Sequence, residues 1–327
     1  MAATAKNASV LCAAITPCLQ RILRADGFRP GGVNRARAAS LTVGGKPVNA
    51  ARVLSALGAP PVLTGLAGGA NGARILSILD GMGIAHDFVR GARESRTCTT
   101  IIDGRRGAAT EIVEEGPAPS PREAAALRRK FSALLRPSAL ALVAGALPPG
   151  CPKGLYSELA RAAARAGVPL LLDANGPALL AALPHRPLLA KSNREELART
   201  LGLPRLARAQ TAPALRALLS RGARWALVTD GPRQAFLAGG GGVWRYGPPR
   251  VKTVNGAGAG DSCTAGIASA LLDGKTMPEA VRFGMACGAA NATTPDPGGI
   301  RVRYARRLLR RVRMRRAGRP PSPGDPS

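Results

Sequence analysis

Three glycines alternate with small residues in Val254-Asn255-Gly256-Ala257-Gly258-Ala259-Gly260-Asp261-Ser262, and the run ends on one carboxylate. An apolar stretch follows from Cys263 to Leu272, interrupted by Gly266 and closed by Asp273-Gly274. The pattern predicts a helix that begins near Gly258. The first turn of a helix leaves main-chain N–H groups without intrahelical partners, at the positive end of the dipole. Such an end collects an anion, most often phosphate. A carboxylate there repels phosphate, but it is well placed to take the proton of a hydroxyl that attacks phosphorus. The chemistry these residues suit is phosphoryl transfer, with Asp261 as base. The same letters also describe a glycine loop that only turns the chain, with Asp261 stabilising a helix dipole.

The elements that must position this loop are read from periodicity. Ser9 to Thr16 is a buried strand, Ala39 to Val43 a short strand, Val48 to Leu57 a helix opened by Pro47, and Pro61 to Leu66 a strand. Asn71 to Met82 is a helix, and Thr97 to Ile102 with Ala108 to Val113 form a hairpin over Asp103-Gly104. From Pro121 onward, helices alternate with apolar strands that end at Ala144, Leu172, Ala190 and Val228, and a last hairpin covers 235–246. That alternation predicts a parallel sheet covered on both faces. Ligands in such sheets bind beyond the carboxyl ends of the strands, where Gly145, Asp173, Lys191 and Thr229 fall. The early hairpin and the Ala39 strand break the alternation and are expected to form a small separate sheet, a lid.

The 327 residues suffice for one large α/β domain or two smaller ones, and 46% hydrophobic against 20% charged residues is a globular composition. The formal charge of +28 comes from 47 Lys and Arg against 19 Asp and Glu. It is mostly arginine, diluted among Ala, Gly and Pro, with ten arginines between Arg301 and Arg319. That distribution argues against nucleic acid as the main partner and suits an anionic small substrate equally well. Six cysteines without a Cys-x-x-Cys pair, and only two histidines, argue against zinc and for a reduced, cytoplasmic protein. No apolar run reaches the roughly 18 residues of a membrane helix. The tail after Arg316, rich in proline and glycine, is expected to be disordered.

Neither the Gly-x4-Gly-Lys-Ser/Thr loop nor Gly-x-Gly-x-x-Gly after the first strand is present, so P-loop enzymes and dinucleotide oxidoreductases are disfavoured. What is present is Gly44-Gly45-Lys46-Pro47-Val48-Asn49-Ala50-Ala51-Arg52 near the start and Gly256 to Asp261 near the end. Between and after them stand Gly145-Ala146-Leu147-Pro148-Pro149-Gly150, Lys191-Ser192-Asn193-Arg194-Glu195-Glu196 and Gly288-Ala289-Ala290-Asn291-Ala292. In that order the motifs resemble the PfkB/ribokinase family of carbohydrate kinases, in its 1-phosphofructokinase and tagatose-6-phosphate kinase branch, over residues 10–300. The resemblance implies a ribokinase-like three-layer α/β fold, with a mostly parallel central sheet, helices on both faces and a small β-sheet lid. It implies one kinase domain over 1–300, with lid strands within about 20–45 and 95–115, followed by the arginine-rich segment 301–327.

The resemblance also implies an ATP- and magnesium-dependent kinase that acts on a ketohexose phosphate, with an unphosphorylated sugar or nucleoside, or non-catalytic ligand sensing, as alternatives. Asp261 would be the base, and Gly258, Ala259 and Gly260 would hold the transferring phosphoryl group. Gln20, Gly44, Gly45 and Asn49 would meet the sugar, and Lys46 and Arg96 its existing phosphate. Lys191 would face the nucleotide phosphates. Asn193 and Glu196 would organise Mg2+, with Glu196 acting through water, although the same residues spell a helix capping box. Thr229, Asp230, Gly231 and Gln234 would form the nucleotide loop, with Gly256 and Asn291 near adenine, and Asn291 equally reads as a buried residue that bonds nearby backbone. Asp173 would sit near the phosphates or cap a turn. Family members are often dimers, so a homodimer is the expected assembly. The sequence departs from the branch at Gln20, where an aspartate is usual, at Pro47 for glycine, at Ala146 for serine and at Arg233-Gln234 for Asp-Gly.

Overall fold

The computed structural model describes residues 9–317, so the end of the proline-rich tail, 318–327, lies outside the described residues. The first half of the chain builds β1 (Ser9–Ala14), β2 (Cys18–Ala25), β3 (Ala38–Gly44), α1 (Lys46–Leu57), β4 (Pro61–Gly68), α2 (Gly69–Gly81), β5 (Ala85–His86), β6 (Val89–Gly91), β7 (Thr97–Asp103), β8 (Ala108–Val113), α3 (Pro121–Leu135) and β9 (Ser138–Ala144). The second half builds α4 (Leu155–Arg165), β10 (Leu170–Asp173), α5 (Gly176–Ala182), β11 (Leu189–Asn193), α6 (Arg194–Thr200), α7 (Thr211–Ser220), β12 (Trp225–Asp230), β13 (Gln234–Gly239), β14 (Gly242–Gly247), α8 (Ala259–Leu272), α9 (Met277–Asn291), α10 (Val302–Leu309) and β15 (Arg313–Arg316).

The main sheet runs β15-β14-β13-β12-β11-β10-β9-β1-β4-β5, with β6 joined to β4. Neighbours from β12 to β5 are parallel, and β13, β14 and β15 extend the sheet antiparallel. Side chains alternate between two cores, as the period of two requires. Val10, Cys12 and Ala14 of β1 pack with Val53, Leu54, Ile267 and Val281 on one face. Leu11 and Ala13 pack with Leu127, Phe131, Leu155 and Leu159 on the other. The order reverses around β1, which lies between β4 and β9, so a cleft forms at the strand ends there.

The lid is a second sheet, β3-β2-β7-β8, in which β2 and β7 run parallel. Cys18, Gln20 and Ile22 of β2 are all buried on one face, with Cys98, Thr100 and Ile102 of β7 beside them. Gln20 on that face and Arg21 and Arg24 elsewhere on the strand explain why the hydrophobic pattern of β2 is weak in the sequence.

The segment beyond residue 300 differs from the expected separate tail. Residues 302–309 form an amphipathic helix whose Ala305 and Leu308 are buried, and β15 pairs with β14 at the sheet edge. The Arg316 guanidinium lies 5.7 Å from the Trp244 ring. Arginine is tolerated because the chain buries only the apolar side of α10 and leaves the charges in water. The ordered domain therefore runs on to residue 316 rather than stopping at 300.

Helices α8 and α9 approach backbone to backbone. A Cβ on Gly288 would meet the Ala259 carbonyl oxygen at 2.7 Å, so the start of α8 is held by a position where only glycine fits.

Candidate active site

Asp261 lies in the first turn of α8 and is buried at the floor of a cleft of about 460 Å3 between the main sheet and the lid. The turn before it depends on Gly258, which caps α8 with φ 76°. A Cβ on Gly258 would also meet the Gly298 nitrogen at 2.8 Å and the Pro297 Cα at 3.0 Å. The Ser262 N–H donates to Gly258 O at 2.8 Å, and the Ala259 N–H donates to Gly256 O at 3.3 Å. Among the described residues, no main-chain acceptor takes the Gly260 or Asp261 N–H. The Gly258 N–H likewise has no acceptor among the described residues, so of the three positions 258–260 only Ala259 has its N–H engaged, and Ala259 is not part of the cleft lining, whereas Gly258 and Gly260 are.

Asn49, on α1, donates from Nδ2 to Asp261 Oδ2 at 2.8 Å. Burial pushes the Asp261 carboxyl up to about 6; the Asp173 charge adds to the rise, and Lys46, Asn49 and Lys191 hold it back. A carboxylate poised there exchanges a proton readily near neutral pH.

Behind Asp261 lies a buried ionic cluster. Lys191 donates to Asp173 Oδ2, and the Thr264 hydroxyl donates to the same oxygen at 2.9 Å. Asp173 Oδ1 has no hydrogen-bond partner, with the Lys46 ammonium 3.6 Å away. Burial alone would raise the Asp173 carboxyl, but Lys191 and Lys46 outweigh it and hold it down to about 2. The strand ends of β10 and β11 place these two charges side by side, because Asp173 and Lys191 are register partners. Thr264 escaped the sequence reading; its spacing of three from Asp261 on one helix is the signal that could have found it.

Lys46 differs most from expectation. Its ammonium donates to Glu196 Oε1 at 2.8 Å and faces the strand-end carboxylates instead of standing free for an acceptor phosphate. Burial works against its charge, yet Asp173, Glu196 and Asp261 together raise its pKa. The physical reason is plain: three carboxylates lie within reach of one flexible stem. Asn193 and Glu196 do form the capping box of α6, with Asn193 Oδ1 accepting from the Glu196 N–H at 2.8 Å and Glu196 Oε2 from the Asn193 N–H at 2.9 Å.

The lid supplies the opposite wall. Gln20 donates from Nε2 to the Thr100 hydroxyl at 3.0 Å, and Gly44 leaves room beside it, since a Cβ there would meet Gln20 Oε1 at 2.8 Å. Arg96 spends its guanidinium on backbone, with Nη1 donating to Glu114 O at 2.9 Å and Nη2 to Thr16 O at 3.2 Å. Glu111 and Glu115 also line this wall, as does Gly45 on the floor.

The nucleotide-side residues are only partly gathered. Thr229 and Asn193 line the cleft. Gly256, Asp230, Gly231, Gln234 and Asn291 are not part of its lining. Asp230 is paired with Arg233 at 2.7 Å and Arg194 at 3.5 Å, Gln234 is buried in β13, and Asn291 donates to Gly299 O at 2.9 Å. Asn291 therefore holds the 296–299 loop against Gly258, an indirect role in shaping the helix start.

A three-layer fold of one sheet between helices, a sheet lid and a carboxylate at a glycine-built helix start together define a ribokinase-like sugar kinase. The profile of the pfkB family carbohydrate kinases matches residues 7–300, and the chain belongs to that family. Its structure is similar to phosphofructokinase-2 from Escherichia coli in complex with fructose-6-phosphate, with a TM-score of 0.83 and 25% identity over 93% of this chain and 98% of that one. It is similar in fold to a Thermotoga maritima protein described as a possible 1-phosphofructokinase, with a TM-score of 0.86 and 22% identity over 95% and 100%. Ribokinase of Arabidopsis thaliana, complexed with ribose and ATP, shares the fold with a TM-score of 0.73 and 22% identity over 93% and 98%. The protein is a carbohydrate kinase. No helix among the described residues is long and apolar enough to cross a membrane.

Proposed function

We propose that this kinase transfers the γ-phosphoryl group of ATP to a hydroxyl of a ketohexose phosphate, with Asp261 as the base. The observation that carries the reading is the buried Asp261 carboxylate, raised to about 6 by burial, beside the unpaired Gly260 and Asp261 N–H groups. The acceptor hydroxyl would give its proton to Asp261 while those N–H groups hold the charge that builds on the transferring oxygens. Asn49 keeps the carboxylate aimed. The lid would close the cleft against water, which otherwise competes as acceptor.

Magnesium fits the residues present. Asp173 Oδ1 is buried and unpartnered, and Glu196 lines the same cleft. Mg2+ takes one or two carboxylates and keeps most of its waters, so Glu196 through water and Asp173 would suffice to hold it. When bound, it neutralises charge on the nucleotide phosphates. The six free thiols suit a reducing, cytoplasmic setting. A homodimer is the assembly we propose, as the family resemblance suggests.

The ketohexose phosphate as acceptor is supported by the complex of the similar Escherichia coli enzyme. A kinase for an unphosphorylated sugar is the second reading, favoured by the engagement of Lys46 with Glu196 and by Glu111 and Glu115 on the acceptor wall. An ADP-release assay across free and phosphorylated ketoses separates the two. We expect phosphorylated ketohexoses to win, and Arg96→Ala to raise their KM roughly tenfold or more, as loss of a charge-assisted contact does. Preference for free sugars would leave the kinase chemistry standing and move the acceptor to the second reading. Gly258→Ala is expected to lower kcat by roughly 10²-fold, because a displaced helix start removes a preorganised donor; full turnover in this variant would show that the hole does not depend on that turn.

A further inference from the structure

Three carboxylates and two ammonium groups meet at the floor of the cleft, and one of the five is loosely held. Asp173 Oδ2 accepts from Lys191 and from the Thr264 hydroxyl, which fixes that carboxylate over the strand ends. Glu196 Oε2 accepts from the Asn193 N–H in the capping box of α6. Asp261 Oδ2 accepts from Asn49, and Lys191 is buried. Lys46 is the exception. Its side chain is 33% exposed, against 2% for Asp173 and 10% for Glu196, and it stands on a flexible stem in the first turn of α1. Its ammonium lies 2.8 Å from Glu196 Oε1 and 3.6 Å from Asp173 Oδ1, and that Asp173 oxygen is buried with no hydrogen bond. Two fixed carboxylates share one movable cation.

We propose that Lys46 determines acceptor specificity as a latch: its ammonium competes with the divalent cation for Asp173 and Glu196, and an acceptor phosphate draws it away, so that anionic acceptor and metal bind cooperatively.

The inference rests on the magnesium-dependent, sugar-phosphate reading proposed for the same cleft. Charge explains why one cation excludes the other. With Lys46 in place, its ammonium stands between the oxygens that a metal would use. A divalent cation brought there meets a like charge in a site with little water, where repulsion is strong. With Lys46 withdrawn, Asp173 Oδ1 and Glu196 Oε1 are both free. The cluster then holds three carboxylates against the Lys191 ammonium alone, an excess that a hydrated divalent cation matches.

The group that draws Lys46 off must be an anion on the acceptor side. Gly45 and Lys46 line the cleft together with Gln20, Thr100 and Arg96 of the lid wall, and the first turn of α1 holds no acidic residue. An anion there meets the positive end of the α1 dipole as well as the ammonium. Glu111 and Glu115 on the lid wall push it towards α1. Water and a neutral sugar carry no charge that competes for the ammonium, so they leave Lys46 on its carboxylates. The latch thereby holds back ATP hydrolysis until a phosphorylated acceptor arrives, and it selects the acceptor by charge rather than by its pattern of hydroxyls.

The test begins with the metal alone. Mn2+ takes the same carboxylate and water ligands, and its free form is counted by electron paramagnetic resonance. Without nucleotide or sugar, Lys46→Met is expected to bind Mn2+ roughly tenfold or more tightly than the wild-type full chain, at a single site. Lys46→Arg, which keeps the charge, should stay near wild type. Lys46→Met combined with Glu196→Gln should lose the gain, and circular dichroism melts verify that each variant is folded. Fructose 6-phosphate is then added, with correction for the Mn2+ it holds by itself. It is expected to tighten Mn2+ roughly fivefold or more in wild type and not in Lys46→Met, while fructose does neither. Calorimetry with and without Mn2+ should return the same factor for fructose 6-phosphate, as linkage requires. Unchanged Mn2+ affinity in Lys46→Met overturns the competition. Coupling that survives in Lys46→Met overturns the assignment to Lys46, and independent binding of the two ligands in wild type overturns the exchange. Fructose 6-phosphate that does not bind at all counts against the proposed acceptor and overturns the exchange with it, while the sugar-free Lys46→Met result still decides the competition.

Discussion

An Asp261→Asn enzyme is expected to fold and to lose roughly 10²–10⁴-fold in kcat, the range that removal of a general base produces. The amide is nearly isosteric, and its oxygen can still accept the Asn49 hydrogen bond that the carboxylate accepts at 2.8 Å. What it cannot do is take a proton from the acceptor hydroxyl. The pH profile should separate this loss from a general disturbance. With the carboxyl raised to about 6, wild-type kcat/KM is expected to climb as pH rises through that value and then level, and the variant should lack that limb. Stability has the opposite sign. A carboxyl raised above its unfolded value of 3.8 favours the folded state while protonated, and that contribution is lost as pH rises through about 6. The neutral amide avoids the cost of a buried charge, so the variant should melt no lower than wild type at pH 7–8, as when an active site gives up stability for function. Steady-state kinetics and thermal melts over pH 5–8 check both halves. Near wild-type turnover in a folded Asp261→Asn protein would falsify the proposed base.

Why Asp261 was legible and its neighbours were not follows from how each is placed. The Gly256–Asp261 loop is one local object: consecutive residues turn the chain, start the helix and carry the carboxylate, so spacing alone describes it. The same holds for α3, whose Ser120 and Glu123 capping box marks its start. Asp173, Lys191 and Thr264 meet only because β10 and β11 pair in register and α8 packs across their ends. The strand ends and the helix spacing mark where each of the three stands, but nothing local says that they share one oxygen. Lys46 shows a different limit. Its position in the chain is clear, but a four-carbon stem at the start of α1 can reach either side of the cleft, and carboxylates contributed by β10, α6 and α8 decide the matter. At the far end, arginines hid the apolar spacing of Val302, Ala305, Leu308 and Leu309, and with it α10. Composition named the segment charged, while a stripe of small and branched side chains made it part of the domain.

Asp173→Asn should act on the other half of the same cluster and in the other direction. Asp173 and Lys191 are both buried, and Lys191 holds its charge only because Asp173 outweighs the cost of burial. Removing one partner of a buried pair leaves the other uncompensated, which costs about 3–5 kcal/mol. The amide oxygen can still accept from Lys191 and Thr264, which points to the lower part of that range. With roughly 2.1 cal/mol/K of unfolding entropy per residue, a chain of this length loses about 4–7 °C in Tm. The pH dependence follows from the sign of the shift. Asp173 is held down to about 2, below its unfolded value of 3.8, so its contribution is complete above the unfolded value and is lost as pH falls through the folded one. Wild type and variant should therefore differ fully at neutral pH and converge at the acid end. Pairing the change with Lys191→Met tests the cause, since residues in one network couple. If the lone ammonium is what destabilises Asp173→Asn, the double variant recovers much of the lost Tm while remaining poor in turnover. A single variant that melts with wild type, or a double variant that melts lower by the sum of the two changes, would show that the buried pair contributes little to holding α8 over the strand ends.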